Sequence, residues 1–299
     1  MKKIIFNKQR DYISIIAPAS SCSDAKNKLK EAIEMLTAKD FKTLVDDKIF
    51  TGDELPFFAA PKAERFRMFK EAIENERVKI IWAFRGGYGC GEFIEDCFNL
   101  NKKGDKILIG YSDITALHLL LNNHYDTVTI HGSVLTSLLP PNNQNITPII
   151  SILEGNNSKI ALTVMNKIND ANIIGKIIGG NLTVLTNLIG TAVNLKGIDI
   201  LLLEDINEKG HAIYRDLMHL KNADIFANIK AVIFGDFING DEHIEQSIQS
   251  FCLNHIPNIA CYRAENIGHG VVNYPIIMNH EVIISDNILS FTSPFMIES

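Results

Sequence analysis

Apolar residues come in short runs through the first half of the chain, and longer stretches of mixed polarity separate these runs. The runs lie at residues 12–18, 41–46, 79–84, 106–110 and 127–132, and each has the length and β-branched content of a strand. Between them, apolar residues recur at helical spacing, which predicts amphipathic helices. Strands that are apolar at nearly every position are typical of a parallel sheet buried on both faces. The alternation therefore predicts an α/β fold.

The second half of the chain repeats this alternation after a change in amino-acid composition. From residue 140 onward the sequence is rich in Pro, Asn and Gly, a composition that favours turns and linkers. Beyond this stretch, strands are predicted at 197–205 and 231–237, and a helical pattern follows each of them. We therefore predict two domains, residues 1–155 and 156–299, with a linker at about 140–172.

The composition narrows the class of protein. Of the 299 residues, 46% are hydrophobic and 21% are charged, with a net charge of −6, as in soluble globular proteins. The chain has no Lys/Arg run that would suit nucleic acid and no apolar stretch long enough for a membrane span. Five cysteines without a CxxC pair, and an N-terminus that polar residues 7–11 interrupt, indicate a cytoplasmic protein without a signal peptide. We expect neither nucleic acid nor a membrane as a partner.

Residues suited to catalysis follow the predicted strands of the first half. The loop "RGGYGCG" (85–91) follows one strand, Ser112 and Asp113 follow the next, and His131 ends the last. Ligands of open α/β sheets bind at the carboxyl ends of the strands, so we expect these residues near one another. The loop matches neither the dinucleotide fingerprint nor the P-loop. Its glycines indicate either a tight turn or backbone N–H groups that face an anion.

The second half supplies acids and a histidine in similar positions. Glu204 and Asp236 each lie at the end of a predicted strand, and His269 lies between glycines in "ENIGHG". A serine becomes a nucleophile when a base takes its proton and an acid orients that base. Ser112, Glu204 and His269 occur in the Ser–acid–His order of the α/β-hydrolases. His131 and Asp236 are the competing base and acid. The structural alternative is that Glu204 caps a helix and His269 is an ordinary loop residue.

The joint at Ser112 and Asp113 allows two interpretations. Side chains of Ser and Asp commonly cap a helix by accepting hydrogen bonds from its first N–H groups. A serine on a tight strand-to-helix turn is also the usual placement of a hydrolase nucleophile. In that case the backbone N–H of Asp113 would contribute to an oxyanion hole.

No metal and no cofactor are predicted. The nine histidines include neither an HExxH nor an HxH pattern. Cys90 and Cys97 have no evident base nearby, and we interpret them as packing residues.

Seven short motifs occur in a characteristic order. They are "IAPAS", "RGGYG", "GYSDIT", "HG", "GGNL", "LLLED" and "IGHG". In this combination the chain resembles the LD-carboxypeptidases, the S66 serine peptidases, from about residue 12 to about residue 285. The resemblance implies a flavodoxin-like N-terminal parallel-sheet domain and a smaller, swivelling β/β/α C-terminal domain, with the active site between them. It also implies a catalytic triad of Ser112, Glu204 and His269.

The resemblance further implies an activity and its binding residues. The activity is release of the terminal D-alanine from cytoplasmic murein tetrapeptide during peptidoglycan recycling, without a metal and by a homodimer. The oxyanion donors would be the backbone N–H groups of Asp113 and of the Gly86-Gly87 turn. We expect Arg85 to bind the D-alanine carboxylate, because a guanidinium matches its two oxygens. Further residues expected to contact the substrate are Tyr88, His131 and Asn181.

Two alternatives remain open beside this prediction. The same family includes microcin C self-immunity proteins, which are amidases that cleave aminoacyl-adenylate analogues. They are longer and carry an aromatic side chain on an extra C-terminal loop, whereas the single tryptophan here, Trp82, lies in an N-terminal strand. This favours the carboxypeptidase. Ser133 replaces a proline that many relatives have, which affects only the turn at 131–133. The alternative of another class is a non-catalytic ligand-binding protein of two lobes.

Overall fold

The computed structural model of the protein describes residues 3–22, 25–166, 172–193, 195 and 197–298. Seven helices lie within these residues, and none of them is long and apolar enough to cross a membrane. They are α1 (Lys26–Thr37), α2 (Lys62–Glu74), α3 (Thr115–Asn123), α4 (Ile146–Leu153), α5 (Leu182–Asn187), α6 (Gly210–Asn222) and α7 (Ile244–His255).

Sixteen strands lie within the same residues. They are β1 (Ile4–Asn7), β2 (Tyr12–Ile16), β3 (Thr43–Val45), β4 (Val78–Ala83), β5 (Ile107–Gly110), β6 (Thr129–His131), β7 (Ser158–Ala161), β8 (Thr163–Asn166), β9 (Ile173–Asn181), β10 (Ile200–Ile206), β11 (Ala231–Ile238), β12 (Ala260–Arg263), β13 (Ile276–Met278), β14 (His280–Ser285), β15 (Ile288–Phe291) and β16 (Phe295–Glu298).

The first sheet is built mainly from the N-terminal half of the chain. Its strand order is β13-β6-β5-β4-β2-β3, and all of its strands except β13 run parallel. Every residue of β5 and all but one residue of β4 are buried. Burial of successive residues requires cover on both faces, which is why these strands are apolar at nearly every position.

The second sheet is built from the C-terminal half and has the order β7-β15-β14-β9-β10-β11-β12-β8. Its four central strands, from β9 to β12, are parallel, and the strands on either side pair antiparallel. The predicted α/β class, with a parallel N-terminal sheet and a separate C-terminal domain, is confirmed.

Two late segments of the chain return to the N-terminal half. Strand β13 pairs with β6, which sets Ile276 opposite His131, and β16 pairs with β1. The predicted boundary at residues 155 and 156 falls between α4 and β7. Because β13 and β16 pair with strands of the N-terminal half, dividing the chain between residues 155 and 156 does not separate the sheets.

The stretch predicted as a linker, residues 140–172, is largely folded. It contains α4, β7 and β8, and five of the eight residues of α4 are buried. The expectation of a linker is wrong for residues 146–166, because isoleucines and a leucine at helical spacing give α4 an apolar face. Residues 167–171 of the predicted linker lie outside the described residues.

The strand that was predicted to contain the single tryptophan is part of the N-terminal core. Trp82 on β4 is fully buried, and its indole Nε1–H donates to the carbonyl of Ser133 at 2.9 Å. The buried indole therefore has its hydrogen-bond partner in the turn after β6.

Candidate active site

The connection from β5 to α3 is a sharp turn centred on Ser112. Tyr111 is extended, with φ −152°, whereas Ser112 has φ +63°, in the left-handed region that a residue with a side chain rarely adopts. A short 3₁₀ turn over Ser112–Ile114 then leads into α3. Such strain persists only where the surrounding structure holds it, and it is typical of a nucleophile on a strand-to-helix turn.

The alternative of a helix cap does not describe this joint. No side chain caps the 3₁₀ turn or α3. The Asp113 carboxylate instead accepts the backbone N–H of Cys90 at 2.8 Å, and burial raises the pKa of Asp113 to about 6. Asp113 thus connects the turn to the glycine-rich loop that follows β4.

That loop approaches Ser112 so closely that side chains are excluded. A Cβ added to Gly86 would lie 2.9 Å from the Cβ of Ser112. Gly87 has φ +110°, and a Cβ there would lie 1.9 Å from Ser20 Oγ. Gly86 therefore allows the loop backbone to come next to Ser112, and Gly87 allows it to pass Ser20, as an oxyanion site built from backbone N–H groups requires.

Ser20, from the loop after β2, holds the glycine turn from the other side. Its backbone N–H donates to the carbonyl of Gly86 at 3.2 Å, and its Oγ accepts the N–H of Tyr88 at 3.0 Å. Within the described residues, the N–H groups of Gly86, Gly87 and Asp113 donate to no protein acceptor. The three predicted oxyanion donors are consequently available to a ligand.

The acid and the base come from the second half of the chain. Glu204, near the end of β10, is fully buried. Its Oε2 lies 2.6 Å from Nδ1 of His269, which fixes the proton of the neutral imidazole on Nδ1 and leaves Nε2 to act as a base. The imidazole contacts the ring of Tyr111, with 4.6 Å between the ring centroids, and so lies beside the residue that precedes Ser112.

Burial and charge act in opposite directions on the acid–base pair. Burial alone would raise the pKa of Glu204, but the neighbouring side chains of His269 and His131 outweigh it, and the pKa is about 2. Burial would likewise lower the pKa of His269, but the Glu204 carboxylate outweighs it and raises that pKa above 6.5. The geometry therefore stabilises an imidazolium, as the base of a serine hydrolase needs.

The loop that carries His269 is fixed by two residues from elsewhere in the chain. Asp236 Oδ1, on β11, accepts the N–H of Asn266 at 3.0 Å. Asn145, just before α4, donates to the carbonyl of Val271 at 2.9 Å and accepts the N–H of Asn273 at 3.1 Å. Asp236, the competing acid of the sequence analysis, thus supports the loop rather than a histidine ring.

The structure brings the three predicted catalytic side chains close together, but within the described part of the chain only one of the two hydrogen bonds expected between them is formed. Glu204 and His269 are hydrogen-bonded, and His269 lies against the turn that presents Ser112. Among the described residues, no hydrogen bond joins Ser112 Oγ to His269 in this state. Such bonds are often long before a substrate binds.

The four residues expected to contact substrate have different surroundings. Arg85 is half-buried and donates to the carbonyl of Ser21 at 3.0 Å. Tyr88 is 55% exposed, and its ring stacks on that of Phe58. Arg85 and Tyr88 are therefore placed at the surface of the glycine-rich loop.

The other two candidates, His131 and Asn181, are buried. The amide of Asn181 donates to Asp205 at 2.8 Å and its Oδ1 accepts the N–H of Val184, so it caps α5. His131 is fully buried. Both side chains lie beneath the surface of the site, and their contact with substrate stays a prediction.

No group of three or more His, Cys, Asp or Glu side chains within the described part of the chain is arranged to hold a metal ion.

Two family models match the chain over most of its length. The LD-carboxypeptidase N-terminal domain matches residues 13–132, and the LD-carboxypeptidase C-terminal domain matches residues 174–284. A Rickettsia conorii protein named as a carboxypeptidase is 34% identical over 277 residues, which are 89% of this chain and 85% of that protein. The chain belongs to the LD-carboxypeptidase family, peptidase family S66. The prediction of a peptidase of the carboxypeptidase class is thereby confirmed.

Relatives within this LD-carboxypeptidase family carry two kinds of name. The murein tetrapeptide carboxypeptidase of Pseudomonas aeruginosa is 28% identical over 60% of this chain and 63% of its own. The microcin C7 self-immunity protein of Escherichia coli is 28% identical over 75% of this chain and 74% of its own. The crystal structure of muramoyltetrapeptide carboxypeptidase from Oxalobacter formigenes superposes with a TM-score of 0.79 at 24% identity, covering 93% of this chain and 97% of that one, and it shows the shared fold.

Two residues that support this LD-carboxypeptidase site were not predicted from the sequence. Ser20 stands in the motif "IAPAS", which marked the family but gave no hint of its contact with the glycine turn. Asn145 lies in the stretch predicted as a linker, and no local pattern signals its bonds to residues more than a hundred positions away.

Proposed function

We propose that this LD-carboxypeptidase is a cytoplasmic serine peptidase that releases the terminal D-alanine from murein tetrapeptide in peptidoglycan recycling. One observation carries the proposal: Ser112 is held at φ +63° against the Gly86-Gly87 turn and beside the paired His269 and Glu204. The Pseudomonas aeruginosa relative supports the choice of substrate, since its name is that of a murein tetrapeptide carboxypeptidase.

The first step follows from these positions. Ser112 Oγ attacks the carbonyl carbon of the L-centre before D-alanine, and His269 Nε2 takes the hydroxyl proton. Glu204 holds the ring through Nδ1 and balances the charge of the imidazolium. The N–H groups of Asp113 and the Gly86-Gly87 turn stabilise the oxyanion, an effect worth about 3 kcal/mol for a single donor.

The second step regenerates the serine. The carbon–nitrogen bond breaks, and the departing amine of D-alanine takes the proton from His269. The tripeptide then remains on Ser112 as an ester, which water hydrolyses with His269 again as the base. Neither step requires a redox partner or a cofactor.

Arg85 is the proposed partner of the D-alanine carboxylate. It belongs to the same loop as the proposed oxyanion donors Gly86 and Gly87, which would place a bound carboxylate on the side of the site where the scissile carbonyl binds. A carboxylate that leaves water needs a cationic partner, and a guanidinium can engage both of its oxygens. We further propose that two copies of the chain assemble as a homodimer.

The function is tested with purified protein and three substrates. Murein tetrapeptide should lose D-alanine, whereas the same peptide ending in L-alanine should not. Cleavage of an aminoacyl sulfamoyl adenosine, with tetrapeptide left intact, would instead establish the amidase activity that the Escherichia coli relative suggests. Binding of tetrapeptide without turnover would establish the ligand-binding alternative.

A further inference from the structure

His131 lies in an enclosed position between the two halves of the chain. It is the last residue of β6, and its backbone pairs with Gly110 of β5 on one side and Ile276 of β13 on the other. The side chain is 0% exposed, and within the described residues neither ring nitrogen has a hydrogen-bond partner. Buried polar atoms without partners are uncommon, so this ring requires an explanation.

The explanation lies at the second oxygen of Glu204. Oε2 is bound to His269, whereas Oε1 is buried and has no hydrogen-bond partner in the described part of the chain. The group that faces Oε1 is Nε2 of His131, at 3.7 Å. The two unpartnered atoms therefore face each other, and an approach of about 0.8 Å would give an ordinary N–H···O bond of roughly 2.9 Å.

The charges around Glu204 make this partner necessary. The carboxylate has lost its water and lies near two further acids, Asp205 and Asp236, whose pKa values burial and then the Glu204 charge raise. Tyr111, also close to Glu204, is already bound through its hydroxyl to Ser137. A buried carboxylate with one oxygen unpaired is costly, and only His131 among these groups offers a free N–H to Oε1.

We propose that His131 is a positioning residue for the catalytic acid, with its ring proton on Nε2 directed at Glu204 Oε1. In this role it keeps the carboxylate ionised and aligned on His269 Nδ1, without touching the substrate. The consequence for catalysis rests on the proposed function, whereas the pairing with Glu204 does not.

Two substitutions of His131 separate its hydrogen bond from its volume. His131→Leu fills similar space without a donor, and His131→Gln places an amide N–H near the former Nε2. We expect His131→Leu to lower kcat about 10- to 100-fold with KM changed less than threefold, as loss of a residue that supports a catalytic group does. His131→Gln should recover most of the loss. Equal kcat values for the Leu variant and the wild type would overturn the proposal.

A matched control and a double-mutant cycle exclude a merely structural role. His280, the first residue of β14, is also buried, and its Nε2–H donates to the carbonyl of Thr292 at 2.7 Å, so His280→Leu should lower stability but leave kcat unchanged. If His131 acts through Glu204, His131→Leu should cost less than twofold in a Glu204→Ala background. Losses that multiply in the double variant would contradict the proposal.

The pairing can also be measured without any substrate. In protein labelled with ¹⁵N-histidine, NMR should show His131 with a protonated Nε2, and its signals should move on Glu204→Ala. A bare Nε2 would overturn the proposal even if the Leu variant failed to fold. Because this readout needs no turnover, it stands apart from the peptide assay: a wild type that does not cleave tetrapeptide defeats the proposed function alone.

Discussion

The two sides of the site are built from different parts of the polypeptide. On the nucleophile side the backbone does most of the positioning: Ser112 has a left-handed conformation, and Gly86 of the glycine-rich loop lies directly against it. On the acid–base side the positioning depends on side chains, since Glu204 and His269 meet in a hydrogen bond near the end of β10. The nucleophile side is therefore sensitive to shape, and the acid–base side to charge.

The largest effect is expected from removing the hydroxyl. Ser112→Ala should lower kcat by about 10⁴- to 10⁶-fold, the range seen when a serine nucleophile is lost. Ser112→Gly should be equally inactive but more stable, because glycine adopts φ +63° without steric cost. Thermal unfolding should show a Tm about 2 °C above that of Ser112→Ala. Undiminished activity of Ser112→Ala would contradict the serine mechanism. A Tm of Ser112→Gly below that of Ser112→Ala would contradict the claim that Ser112 is strained.

The second largest effect is expected from removing the charge of Glu204 on the acid–base side. Glu204→Gln should lower kcat by about 10³- to 10⁴-fold. The pKa of His269 is raised because Glu204 outweighs burial, and the base must be neutral, so wild-type kcat/KM should fall as pH drops through a pKa above 6.5. Without the carboxylate the largest opposing effect is gone, burial lowers that pKa relative to the wild type, and the acid limb should move to lower pH. A limb that stays in place would show that Glu204 does not set the basicity of His269.

A change of shape in the glycine turn should have a smaller effect. Gly87→Ala forces a Cβ into Ser20 at φ +110°, which should displace one oxyanion donor and lower kcat about 10²- to 10³-fold. Gly91, four residues later, is the matched control, since a Cβ there meets nothing within 4 Å. If Gly87→Ala and Gly91→Ala behave alike, the turn is not part of the oxyanion site.

The smallest of these effects is expected at the residue that holds the turn. Ser20→Ala removes the acceptor for the N–H of Tyr88 but keeps the backbone bond to Gly86. We expect kcat to fall about 10-fold, equivalent to roughly 1.4 kcal/mol, with KM little changed. A larger effect on KM than on kcat would indicate that Ser20 serves binding rather than the oxyanion turn.

How far the sequence could predict these two sides depends on the range of the interactions. The strands before the glycine-rich loop and before Ser112 were predictable because burial on both faces leaves a continuous apolar run. The partnership of Glu204 with His269 followed from their order in the chain and from the family resemblance, and hydrogen bonding between them is what the structure adds.

The supporting residues could not be predicted in the same way. His131 appeared as a substrate contact because nothing in a single sequence shows that β13 returns to cover it. Asn145 was hidden within a predicted linker, since its partners lie far along the chain. The surroundings of His131 and Asn145 both depend on contacts between distant segments, which the local periodicity of a sequence does not predict.

The most direct test of the account is the intact mass of the enzyme quenched in acid during turnover of murein tetrapeptide. The account predicts an adduct with the mass of the tripeptide acyl group, located on Ser112 after digestion and absent from Ser112→Ala. Turnover of tetrapeptide with no acyl adduct in the wild type, together with undiminished D-alanine release by Ser112→Ala, would contradict it.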